Sequence, residues 1–151
     1  MSYVKTAVYV LITAMVLSLV LTYASLMSVI HSSKDNTERV LRSYVIQNAT
    51  IIYSSIKNGN MFTPSIDSNY FITEYSTDGG TFDCDGTYFY NKNNQGGYVY
   101  RITMPKVAFT QTNTLNLNCT YDLLIPVEFA GRSITELRIP IKIQTTFNLI
   151  N

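Results

Sequence analysis

The sequence predicts an α+β chain: a long N-terminal helix, hydrophobic and then amphipathic, followed by an antiparallel β-sheet of about five or six strands. Three observations carry that prediction. All seven Gly and all four Pro of the 151 residues lie after Asn58, so the first 57 residues contain no helix breaker. Thr6 to Ser33 is a run of 28 residues without a charge, dominated by Val, Leu, Ile, Ala and Met. Beyond Asn60 the apolar residues stop recurring every three or four positions and begin to alternate.

The apolar run is long enough to cross a membrane. About 20 residues at ~1.5 Å each span a ~30 Å hydrocarbon core, and Val, Ile and Thr are tolerated where lipid forces a helix to satisfy its own backbone. A cleaved signal peptide is the competing reading, with Thr22-Tyr23-Ala24 as a weak cleavage site. The run exceeds the usual h-region of about 7–15 residues, and one Lys precedes it. A chain beginning at Met1 also counts towards a retained anchor. From Lys34 to Lys57, Leu41, Tyr44, Val45, Ile52 and Ile56 share one face, with Glu38, Arg39, Arg42, Gln47 and Lys57 mostly outside it. Asn58-Gly59-Asn60 then supplies a stop, because Gly and Asn tolerate a left-handed helix end. The expected organisation is a helix over 1–57, with 6–33 the transmembrane or filament-core part and 34–57 the amphipathic part. An extracytoplasmic β domain over 58–151 follows.

Strands are expected near 70–75, 86–90, 98–104, 106–110, 114–125 and 134–148. Tyr98, Tyr100 and Ile102 alternate with Val99, Arg101 and Thr103. Leu115, Leu117, Cys119 and Tyr121 alternate with Asn and Thr, and Ile139, Ile141 and Ile143 alternate with Pro140, Lys142 and Gln144. Residues 91–97 read as a long hairpin loop and 130–132 as a tighter turn, so the sheet is an antiparallel meander covered on one face by the amphipathic helix. Pro140 marks the last strand as an edge.

Composition excludes most chemistry. Hydrophobic residues make up 46% and charged residues 14%, and the net charge of +1 offers no nucleic-acid footprint. That charge is divided: residues 1–57 carry five basic and two acidic side chains, residues 58–151 six and eight. One His (His31, read as an interfacial residue) and two Cys cannot assemble a zinc site or a conventional nucleophile-base pair. There is no glycine-rich phosphate loop. No catalytic, metal or cofactor-binding residue is expected, and no cofactor.

Other motifs carry weaker signals. Ala7, Ala14, Ser18, Thr22, Ser25 and Ser32 fall along one side of a helix, and the small-xxx-small spacing of Ala14, Ser18 and Thr22 permits another helix to approach closely. Cys84 and Cys119 are expected to form a disulfide, since closing a loop of 36 residues stabilises by about 4 kcal/mol in the chain-entropy model. Asp83-Cys84-Asp85-Gly86 is read as a turn rather than a calcium loop, for want of further ligands. The acceptor patterns at Asn48 and Asn118 are ascribed to chance. Tyr70, Tyr75, Tyr88, Tyr90, Tyr98 and Tyr100 read as cross-strand residues before they read as a binding surface.

A hydrophobic N-terminal helix continuing into an amphipathic half and then an antiparallel sheet resembles type IV pilin-like subunits. The Lys5-Thr6-Ala7-Val8-Tyr9-Val10-Leu11 start and the Leu137-Arg138-Ile139-Pro140-Ile141-Lys142-Ile143 strand are similar to TadE-like, pseudopilin-type membrane proteins of Tad pilus loci. The resemblance implies a helix that anchors in the membrane and packs against other pilin-like subunits, as a homo- or hetero-oligomer, and no catalytic residue. Main pilins carry a leader and a Glu at the fifth mature position. The chain shows Lys5 and no leader, and a like charge beside a neighbour's amine in an apolar core is costly. A minor pilin or pseudopilin is therefore expected, as a structural component of a Tad-type surface filament or its assembly machinery. The alternative is a monomeric membrane-tethered extracellular binding domain of β type.

The β domain is expected outside the cytoplasm, in a single-pass membrane protein or an extracellular filament. The cysteine pair and the weakly charged Asn/Thr-rich strands support that side. The flanking charges, Lys5 and the amine against Lys34, Arg39 and Arg42, point the other way, but large domains translocate regardless of them.

Overall fold

A computed structural model describes residues 2–60, 66, 68–77, 82–93, 96–111, 114–129 and 132–148. Three helices precede six strands: α1 (Ser2–Gln47), α2 (Ala49–Lys57), α3 (Ser68–Thr77), β1 (Phe82–Cys84), β2 (Tyr88–Lys92), β3 (Tyr98–Thr103), β4 (Lys106–Gln111), β5 (Thr114–Phe129) and β6 (Arg132–Asn148). This is the α+β arrangement of a long N-terminal helix and a six-stranded antiparallel sheet. The chain divides into two compact units, residues 1–32 and 33–151, with α1 contributing to both.

The first unit is helix alone. Every described side chain from Tyr3 to Ser25 is exposed, and an 18-residue window reaches a mean hydropathy of 2.2 with none of it buried. A helix apolar all round its circumference is suited to lipid or to other helices rather than to water. It is long and apolar enough to cross a membrane once.

In the second unit α1 shows one buried stripe, Val40, Leu41, Tyr44 and Val45, continued by Ile52 of α2. The helix is not continuous to residue 57 as its uninterrupted composition suggests. Asn48 separates α1 from α2 (φ −101°, ψ 8°), and its side-chain amide donates to the Tyr44 carbonyl at 2.9 Å, beside its own backbone N–H at 3.1 Å. Asn side chains that compete for a backbone carbonyl in this way loosen a helix. The stop falls where expected. Gly59 adopts φ +69°, its N–H bonds to the Ile56 carbonyl, and Asn60 N–H bonds to the Ser55 carbonyl at 2.8 Å. That pair of bonds closes the helix end with a left-handed glycine.

The expected strand at 70–75 is instead within α3. Phe71 and Tyr75, four residues apart, both point into the core, and Thr73 Oγ1 donates to the Asn69 carbonyl. The aromatic and β-branched content that suggested a strand is here spent on one helical face. The remaining strands lie close to their expected positions, joined by the short β1. The 91–97 loop is tighter than expected, since β2 continues to Lys92 and Asn93 closes the turn by accepting from Gly97 N–H at 2.8 Å. Of the expected 130–132 turn, residues 130 and 131 lie outside the described residues and Arg132 begins β6.

The sheet is a meander with one refinement. β5 is paired on one edge by β6 and on the other by two strands laid end to end: β3 opposite Leu123 and Leu124, and β4 opposite residues 115–120. The break between them falls at Met104-Pro105, where Pro105 is buried and supplies no N–H. Among the described residues β6 pairs only with β5, so Pro140 does lie on an edge strand. Odd-numbered residues of β5 (Leu115, Leu117, Cys119, Tyr121, Leu123) and of β6 (Ile141, Ile143, Thr145) are buried on one face, beside Phe82, Phe89, Tyr100 and Ile102. The helical stripe of residues 33–52 and α3 cover that face.

A seam of polar contacts joins helix to sheet inside this core. Ser33 Oγ lies 3.0 Å from Tyr121 Oη, Thr37 Oγ1 lies 2.7 Å from Tyr75 Oη and donates to the Ser33 carbonyl, and Asn36 donates to Tyr100 Oη at 3.2 Å. Ser43 and Gln47 donate to Glu74, tying α1 to α3. Burial pushes the Tyr75 hydroxyl well up from its ordinary value and also raises that of Tyr121.

Candidate functional site

Among the described residues two surfaces stand out, one in each unit. On the apolar helix, Ala7, Ala14, Ser18, Thr22, Ser25 and Ser32 are all exposed. Their short side chains leave a shallow groove lined by Ala14, Leu17, Ser18, Leu21, Thr22 and Ser25. Thr22 Oγ1 donates to the Ser18 carbonyl and Thr13 Oγ1 to the Tyr9 carbonyl, both at 2.8 Å. These hydroxyls are thus satisfied within the helix and are compatible with an apolar neighbour.

Cys84 and Cys119 do not form the expected disulfide; both are free thiols. Strand order is the reason. Cys84 is on β1 and Cys119 on β5, with β2 and β3 between them. Three strand spacings separate them by roughly 14 Å, about twice the largest Cα separation a disulfide spans. Cys119 is a fully buried core residue opposite Ile143, and desolvation pushes its thiol up to about 12.

The second surface is the outer face of the sheet, which the helices leave uncovered. The six tyrosines singled out in the sequence separate here. Tyr75 and Tyr100 are core residues, and Tyr70 packs edge-on against Tyr44 at 5.1 Å between centroids. Tyr88, Tyr90 and Tyr98 form a row on the outer face, with centroids 6.4 and 5.4 Å apart. Tyr98 joins them through a bulge: Asn91 opposes Tyr100 whereas Lys92 opposes Tyr98, so Val99 is an extra residue and Tyr98 leaves the face that Tyr100 keeps. Period-two reading of 98–102 could not reveal that shift.

Arg101 organises the row. Its guanidinium carbon stands 4.2 Å from the Tyr88 centroid and 6.0 Å from that of Tyr90, and it is ion-paired to Glu136 of β6. Tyr98 Oη donates to the same Glu136 at 3.1 Å. The Arg101 hydrogen bond holds the Glu136 carboxyl below its ordinary value, and Glu136 in turn raises the Arg101 guanidinium. At the end of the row Asp85 accepts from Tyr90 Oη at 2.6 Å and from the N–H groups of Tyr88 and Thr87, which lowers its carboxyl. Asp85, with Gly86 at φ +89°, closes the β1–β2 turn, as read from the sequence. Among the described residues no group of three or more His, Cys, Asp or Glu could hold a metal ion.

Below the tyrosines, where β3 gives way to β4, the outer face sinks into an open depression of about 510 Å³ floored by β5. Tyr88, Thr103, Lys106, Thr120, Arg138 and Lys142 contribute to its lining. Arg138 is ion-paired with Asp122 there. In the sequence these residues are scattered over five strands, with nothing to mark them as neighbours. Their convergence depends on the register of β4 and β6 against β5. No family model matches the chain, and comparison with curated proteins and with solved structures finds no match.

Proposed function

We propose that the protein is a structural subunit of a type IV pilus-like, Tad-type surface filament or of its assembly machinery. In this reading it is a minor pilin or pseudopilin that assembles through its N-terminal helix with other pilin-like subunits. The observation that carries the reading is the first compact unit. A helix with every described side chain from Tyr3 to Ser25 exposed needs an apolar surrounding, and its small-residue groove suits a second helix. The β domain would then lie outside the cytoplasm, a placement supported now only by its Asn/Thr-rich strands, since the cysteine pair lends nothing.

Cross-linking in native membranes tests the assembly. In a Cys84→Ser background, Ser18→Cys should give covalent oligomers more efficiently than Val20→Cys on the opposite side of the helix. Equal yields from both positions, or monomer from both, would count against packing through this stripe.

The outer-face row of Tyr88, Tyr90 and Tyr98 around Arg101 supports a second reading, a monomeric membrane-tethered domain that binds a ligand through its sheet. Under it, bulky residues at Ala14 or Ser18 are silent and substitutions in the tyrosine row abolish function.

A further inference from the structure

We propose that the depression across β4, β5 and β6 binds the carboxylate or sulfate groups of an anionic polysaccharide. Lys106 and Lys142 approach it from opposite sides, each in register with the same residue, Thr120. Two strand spacings therefore place the roots of the two side chains roughly 10 Å apart with a hydroxyl between them.

Among the described side chains of the sheet, these two lysines differ from the other cations in having no carboxylate partner. Lys92 pairs with Asp83, Arg101 with Glu136 and Arg138 with Asp122. Lys106 and Lys142 have no carboxylate partner among the described residues, and both stand at the same depression. Asp122, the acid in the lining, is already engaged by Arg138. The lining holds three cations against one acid, within a stretch, 58–151, whose own charge is six basic against eight acidic. Charge concentrated against the sign of its domain raises the local concentration of ions of opposite charge.

The shape and remaining chemistry point to a saccharide as the carrier of that charge. The depression falls within the size range of small-ligand sites, yet it is open, so an extended chain can cross it. Tyr88, Met104 and Pro140 give it apolar walls against which sugar rings can lie, and Thr120 offers a hydroxyl between the two ammonium groups. An acidic polysaccharide spaces its charges one or two rings apart, which a widely set pair of lysines can follow. A duplex nucleic acid would need a denser basic surface. This assignment does not depend on whether the chain assembles through its helix.

Binding by the full chain in detergent micelles decides the matter, with polygalacturonate as the carboxylated probe, heparin as the sulfated one, and dextran and inorganic polyphosphate beside them. At low salt at least one of the two acidic polysaccharides should bind, and which one binds identifies the anion. The K106Q/K142Q variant should bind about tenfold or more weakly, K106R/K142R should retain binding, and K34Q/K57Q, with the same change in net charge, should match wild type. Four results overturn the proposal: neither acidic polysaccharide binds; dextran binds equally well; K34Q/K57Q loses as much as K106Q/K142Q; or polyphosphate binds more tightly with the same lysine dependence.

Discussion

Helix α1 carries two kinds of apolar surface, and they differ in what completes them. Between Ser33 and Gln47 the apolar residues form a stripe, and Leu41, Tyr44 and Val45 are buried by the protein's own sheet. Up to Ser25 the apolar residues surround the helix, and all those described are exposed. The same residue types thus stabilise folding in one stretch and environment-dependent placement in the other. An apolar residue contributes through whatever removes it from water; the protein's own fold does so in one stretch and leaves the other exposed.

Substitutions matched across the two stretches should separate the effects. Leu41→Ala empties a site with no exposed surface and should destabilise the second unit by about 2–5 kcal/mol in thermal unfolding followed by near-ultraviolet circular dichroism. Leu17→Ala, a chemically identical change on the first unit, should leave that transition within about 0.5 kcal/mol of wild type. Comparable losses from both would mean that the first unit is not energetically separate. Leu17→Arg sharpens the contrast. It should cost about 2.5–3.5 kcal/mol in membrane insertion, seen as extraction by carbonate, while the unfolding transition stays in place.

The buried face also sets an alkaline limit. The Cys119 thiol is raised from 9.0 to about 12 by burial, so the folded state holds a proton that the unfolded chain releases. Its contribution is complete below about pH 9 and is lost as pH rises towards 12, at up to ~1.4 kcal/mol per pH unit. Tyr75 and Tyr121, also raised, add to the decline above about pH 10. Cys119→Val should reduce the steepness of this loss by about one proton, and an unchanged pH slope would contradict the assignment. The smallest effect belongs to the outer face. Glu136→Gln should change stability by less than about 1 kcal/mol, because its pair with Arg101 is partly solvated.

Periodicity explains which parts of this fold were legible. The 41–52 stripe and the strands from Tyr98 onward announce themselves because each buries one face, at steps of three to four or of two. Tyr70 to Tyr75 did not, because Tyr, Phe, Ile and Thr are common in strands and the Phe71/Tyr75 spacing is too short a run to establish a helix. The expected disulfide fails for a different reason: pairing depends on strand order, and sequence separation says nothing about two intervening strands. Of the candidate surfaces, the small-residue stripe could be read directly from spacing. The tyrosine row needed the Val99 bulge to bring Tyr98 over, and the lysine pair needed the register that sets both opposite Thr120.

The polar seam beneath the sheet has a mechanical consequence. Ser33, Asn36 and Thr37 reach Tyr121, Tyr100 and Tyr75 within little more than one helical turn. Sliding the helix by one turn, ~5.4 Å along its axis, would break all three contacts together and leave buried hydroxyls without partners. Tension along the axis therefore meets these bonds in parallel, whereas a sideways pull meets them in succession. Pulled lengthwise, the helix and sheet of the second unit should hold to a higher force than when peeled apart.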